Sequence, residues 1–269
     1  MHRLLKNGLP ALALLCILTA AQTAMAQDQA AGAQDDPSTP SPQEKELLDL
    51  TNLARADQGL GPLKWDASLA AAAAQHNQLM RGQGDLSHQY PNEPALVDRA
   101  AQAGAHFSSV AENLAVGPSP GAIERQWLQS VPHRSNIYDP RMDSIGISLI
   151  RRGGDYYATE DFAHSVNQVS PEQAEGQVAA LLQKQGLTVS QDPKFIQDAR
   201  ETCEMNTGSA GGTQPRFIMR WESSSLAQLP DQLTQHTANG QFKTAAVGAC
   251  TSSHPQQGFT TYRVAVLLY

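Results

Sequence analysis

The sequence predicts an α+β fold in two successive parts, on three observations. Apolar residues recur at helical spacing in the first part: Leu47, Leu50 and Ala54 share one face, and Leu69, Ala73, His76 and Met80 share another. Residues 144–150 and 156–163 read as β-branched, alternating strands joined at Gly153-Gly154, an antiparallel hairpin. The same mixture returns after residue 171, with two helical stretches and strand patterns at 217–221, 244–250 and 260–268.

The elements follow in order. Arg3 and Lys6, an apolar run over 9–21 and Ala24-Met25-Ala26 form a secretory signal, residues 1–26. No later segment reaches the ~18 apolar residues of a membrane span, so the mature chain is expected to have none. Residues 27–42, polar and proline-rich, read as a disordered leader. Ser41 and Glu44 fit a capping box with Pro42 at the first helical position, and Gly59 or Gly61 ends that helix. Asp66 caps a helix over 67–81, closed by Gly82 and Gly84. Residues 85–118 read as loop with a short helix near 97–103. Ser119-Pro120 opens a helix over 120–130 that turns Ile123 and Trp127 inward, and the hairpin follows.

In the second part a helix over 171–185 turns Val178, Leu181 and Leu182 inward, and Asp192 caps another carrying Phe195, Ile196 and Ala199. Residues 183–199 parallel 56–72, and 245–250 with 260–269 parallel 143–148 with 156–163. Residues 171–269 are therefore either a diverged, shortened copy of the first domain or an unrelated α+β domain.

Composition narrows the function. The 269 residues carry a net charge of −7, and removal of residues 1–26 leaves 17 basic against 26 acidic side chains. Such a surface repels phosphate backbones, so no nucleic-acid partner is expected. No phosphate-binding glycine motif supports a nucleotide cofactor. Two cysteines remain after cleavage, Cys203 and Cys250, and an even count in an oxidising compartment points to one disulfide.

Six segments come in series: NLARADQGLGPLKWDASLAAAAAQHNQLM (52–80), LSH (86–88), AENLAVG (111–117), WLQSVPHRSNI (127–137), SIGIS (144–148) and YYATEDFA (156–163). This order resembles the bacterial extracellular branch of the CAP superfamily, also called SCP or pathogenesis-related-protein-like. The resemblance implies a three-layer α-β-α sandwich over 43–168 and a cleft lined by two histidines and two glutamates. By motif His88 matches the first histidine and Glu112 the first glutamate. The place of the second glutamate holds Ser130, and the strand that brings the second histidine in eukaryotic members reads Tyr157-Ala158-Thr159-Glu160 here. The bacterial S-x-x-H-R pattern supplies His133 instead, so the expected site has three members: His88, Glu112 and His133.

Two imidazoles and a carboxylate suit a divalent metal such as zinc, and they equally suit acid–base work or plain loop fixation. No nucleophile elbow accompanies them; Ser87 and Ser130 merely lie near His88 and His133 in sequence. Arg134 is placed to pair with Glu112 or Asp139, and His76 reads as a satisfied core histidine. The expectation is a secreted or periplasmic, non-catalytic binding module for a small ligand, lipid, metal or envelope component. The alternative is a metal-assisted or acid–base hydrolase of peptide or cell-wall substrates using the same cleft.

Overall fold

A computed structural model describes residues 37–251 and 258–269; the predicted signal, residues 1–26, and most of the predicted leader lie outside them. Helix α1 (Pro42–Asp57) starts at the expected capping box: the Ser41 hydroxyl accepts from the Glu44 N–H, and the Glu44 carboxylate accepts from the Ser41 N–H. After the two-residue strand β1 (Lys64–Trp65), the Asp66 carboxylate accepts from the N–H groups of Ser68 and Leu69 and opens α2 (Ala67–Gln83). Then come α3 (Leu96–Gln102), β2 (Phe107–Gly117), α4 (Pro120–Gln129), α5 (Val131–Ile137), and the hairpin β3 (Ser144–Arg152) and β4 (Asp155–Ser165).

The sheet order is β1-β3-β4-β2, with β1 parallel to β3 and the other pairs antiparallel. Side chains alternate across it. One face carries Ile145, Ile147, Ala158 and Phe162, packed on Leu47 of α1, Ile123 and Trp127 of α4 and Ile137 of α5. The other carries Phe107 and Ala163 against Leu69 of α2 and Ala100 of α3, and Leu114 and Tyr157 against Met80. The result is the α-β-α sandwich, and α2 lies so close to the sheet that a Cβ on Gly146 would sit 2.0 Å from the Ala70 nitrogen.

Residues 107–117, read from sequence as loop, are in fact an eleven-residue strand. Two buried polar residues, Glu112 and Asn113, interrupt its apolar pattern and hide it. Helix α5 also escapes the sequence reading, being a seven-residue helix with no side-chain N-cap bond.

The second half repeats this plan. Helix α6 (Pro171–Lys184), β5 (Thr188–Val189), α7 (Pro193–Glu204), β6 (Phe217–Ser223), α8 (Asp231–Ala238), β7 (Thr244–Cys250) and β8 (Tyr262–Leu268) give a sheet of order β5-β7-β8-β6, again with only its first pair parallel. Ser170, Pro171 and Gln173 form the capping box of α6 as Ser41, Pro42 and Glu44 do for α1. Gly248 of β7 meets α7 as Gly146 meets α2, with a Cβ only 2.2 Å from the Arg200 nitrogen. Helices α6 and α8 cover one face of the second sheet and α7 the other. A Cys203–Cys250 disulfide ties α7 to the end of β7.

Candidate functional site

The site forms where the middle of β2 meets α2 and α3. Glu112 points to that face and is nearly enclosed. Its Oε2 accepts from Arg99 Nη2 of α3 and lies 3.9 Å from His76 Nε2 of α2. Its Oε1 lies 2.8 Å from His88 Nδ1, on the loop between α2 and α3. Arg99 also donates to the carbonyls of His88, at 3.3 Å, and Pro94, at 3.4 Å, so one guanidinium holds both the carboxylate and the loop. Below them Glu93 takes His76 Nδ1 at 2.7 Å and the Tyr90 N–H at 2.9 Å. Asp161 stands directly across from Glu112 on β4, fully buried.

His133 sits on α5, which is laced to β2. Asn113 Nδ2 donates to the His133 carbonyl at 3.1 Å, and Asn136 Nδ2 donates to the Glu112 carbonyl at 3.2 Å and to Asn113 Oδ1 at 2.9 Å. The structure thus brings His88 and Glu112 into direct contact. His133 is held nearby through the backbone of α5, close enough for its titration to sense the His88 charge. Arg134 pairs with neither predicted carboxylate: its Nη1 donates to the Leu128 carbonyl at 2.7 Å, Arg141 takes Asp139, and Arg99 takes Glu112. Sequence reasoning found His88, Glu112 and His133 by motif. It missed Arg99, Glu93 and Asp161, which lie in no motif and matter only through contacts between elements.

The charges are uneven. The bond to Glu112 raises the His88 pKa above the ordinary imidazole range. Burial, followed by the His88 charge, lowers that of His133. The His88 side chain is 65% exposed although its carboxylate partner is 2% exposed, so the ring is anchored from behind and open in front. Burial and the neighbouring Glu112 charge push the Asp161 pKa well above the ordinary carboxylate range.

On the opposite face of the sheet, the Thr51 hydroxyl of α1 lies 3.2 Å from Glu124 Oε2 of α4 and 3.0 Å from Glu160 Oε1 of β4. Burial raises Glu124 to about 7 and, with the Glu124 charge, Glu160 well above the carboxylate range.

The expected zinc ligands, His88, Glu112 and His133, do not fit a metal in this arrangement. Both Glu112 oxygens are engaged, one by a guanidinium whose charge opposes a dication. Among the described residues no group of three or more His, Cys, Asp or Glu side chains is placed to hold an ion. The Ser87 hydroxyl donates to the Gln89 carbonyl at 2.8 Å, so it is committed to its own loop. No helix among the described residues is long and apolar enough to cross a membrane.

Comparison with known proteins adds three findings. A family model described as "CAP: Cysteine-rich secretory protein family" matches residues 48–166. Two proteins of Bacillus subtilis (strain 168) are similar over a stretch of about the same length. The uncharacterized protein YkwD is 33% identical over 118 residues, 44% of this chain and 46% of that protein. The uncharacterized membrane protein YlbC is 32% identical over 121 residues, 44% of this chain and 34% of that protein. The chain therefore spans less than half the length of each relative. Among solved structures, an extracellular SCP-domain protein from Bacillus anthracis aligns with a TM-score of 0.42 and 25% identity, covering 47% of this chain and 45% of that one.

Proposed function

We propose that the chain, whose residues 48–166 match a model of the CAP, cysteine-rich secretory protein family, is an exported binding module whose cleft around His88, Glu112 and His133 holds a polar group of a small ligand, lipid headgroup or envelope component without turning it over. One observation carries this reading: His88 is fixed at Nδ1 by a buried carboxylate while most of its side chain stays exposed. When the ring is protonated, that arrangement presents a positively charged N–H donor to a hydrogen-bond-accepting or anionic group. His133, held towards its neutral form, offers a second imidazole beside it. Glu112 is bonded to Arg99 and His88 and fits the role of an anchor rather than a general base. Export rests on the N-terminal signal pattern and the family of the domain.

The test is co-sedimentation of the purified mature chain with isolated bacterial envelope fragments, with turnover followed on the same material and on a peptide library. Wild type is expected to sediment, and His88→Ala to lose at least ~tenfold in affinity. Because its folded pKa is raised, His88 stays charged to higher pH than a free imidazole, and binding should weaken as pH rises through that elevated value. Catalytic turnover that vanishes in His88→Ala would establish the hydrolase in place of the binding module.

A further inference from the structure

Residues 258–260, just before β8, reach across to the first sandwich and grip the two elements that carry the Arg99–Glu112 pair. Gly258 lies against α3 so closely that a Cβ there would stand 2.6 Å from Val97 Cγ1 and 2.8 Å from the Val97 carbonyl oxygen, and its φ of +70° suits glycine. Phe259 sets its ring edge-on to Phe107, the first residue of β2, with centroids 5.7 Å apart. The Thr260 N–H donates to the Phe107 carbonyl at 2.8 Å. This grip falls on an irregular, lightly packed part of the first sandwich. The pairing of β2 with β4 shifts register between Phe107 and Ser109. The local core under α3 is thin, made of Leu69, Phe107 and the three alanines Ala100, Ala105 and Ala163, with Val97, Ala101 and Val110 only partly buried.

We propose that the second half acts as a brace for the site, with Gly258, Phe259 and Thr260 as positioning residues. They hold the start of α3 and the start of β2 together, and so fix the distance between Arg99 and Glu112. Arg99 lies two residues after Val97 and Glu112 five after Phe107, so each grip lies within a few residues of the guanidinium–carboxylate pair. The second half needs no cleft of its own for this role. The inference stands apart from the proposed function, since it concerns how the pair is held and not what it holds.

The experiment is NMR-detected exchange on the full mature chain, comparing wild type with Phe259→Ala, Phe259→Leu and Gly258→Ala. Phe259 is 38% exposed, so its truncation leaves both main cores intact. Phe259→Ala should speed exchange of the α3 amides and of the Arg99 Nε–H by about tenfold or more, while β7 amides keep their wild-type rates. Phe259→Leu should restore most of the protection. Gly258→Ala should displace the Val97 and Arg99 resonances. Unchanged Arg99 Nε–H exchange in both Phe259→Ala and Gly258→Ala, or changes confined to the second half, would overturn the proposal.

Discussion

At the scale of single residues, Arg99 bears most on the site. It is 2% exposed and lies between two carboxylates, Glu93 and Glu112, that are nearly as enclosed. Arg99→Met would take the guanidinium from both buried carboxylates, a loss of roughly 3–5 kcal/mol. Urea unfolding at neutral pH measures it, and a change under ~1 kcal/mol would show the pair to be dispensable. The opposite face makes a second prediction. Glu124 and Glu160 have pKa values raised by folding, so the folded state keeps protons that the unfolded chain releases. Their contribution is fully present below about pH 4.5 and declines as pH climbs, through about 7 for Glu124. Glu160→Gln should flatten that slope, matching wild type at pH 4 and exceeding it at pH 8, as read from unfolding midpoints at the two pH values. A wild-type midpoint that rises between pH 4.5 and 7 would contradict the assignment. Little of this was legible in the sequence. His88 and Glu112 stand in recognisable short motifs, whereas Arg99, Glu93 and Asp161 acquire their roles only when β2, β4, α2 and α3 converge.

At the scale of elements, helix-to-sheet spacing is set by glycine in both halves. Gly146 lets α2, and Gly248 lets α7, lie against the sheet at backbone contact. Gly146→Ala would have to push α2 away and should cost about 3 kcal/mol or more, whereas Gly154→Ala in the hairpin turn, with nothing within 4 Å of its Cβ, serves as the neutral control. Thermal unfolding of the two variants decides it; equal midpoints would mean the sheet accommodates the methyl. Most of the helices that sequence found have strong end signals: Ser41, Asp66, Ser119 and Asp192 accept N-terminal N–H groups as expected, and Ser170 does the same, whereas α3, found near 97–103, has no such cap. Helices α5 and α8 lack a side-chain cap bond, and both were overlooked. The hairpin β3–β4 was legible because its alternation is uninterrupted over most of its length, whereas β2 was obscured by its buried acid and amide.

At the scale of the whole molecule, the two halves share one plan and differ in what they bury. The row Gly146–Asp161–Glu112 across the first sheet corresponds to Gly248–Ala265–Arg220 across the second when the helix-contacting glycines are matched. The acidic site is thus replaced by alanine and an arginine whose Nε donates to the Thr202 carbonyl at 2.6 Å, near the C-terminal end of α7. The second half adds a disulfide that closes 47 residues, worth about 3–4 kcal/mol on loop entropy. Reduction is expected to lower the unfolding temperature of the second half first, seen as loss of β7 and β8 amide protection before that of β3 and β4; simultaneous loss would indicate a single cooperative unit. One further feature concerns the long edge of the first sheet. Along β2 the carbonyls of Glu112, Leu114 and Val116 receive the side chains of Asn136, Trp127 and Gln126, and that of Phe107 receives the Thr260 N–H. A strand rim so occupied is a poor template for an extended peptide or for another copy's rim, which guards the folded chain against stacking into fibrils.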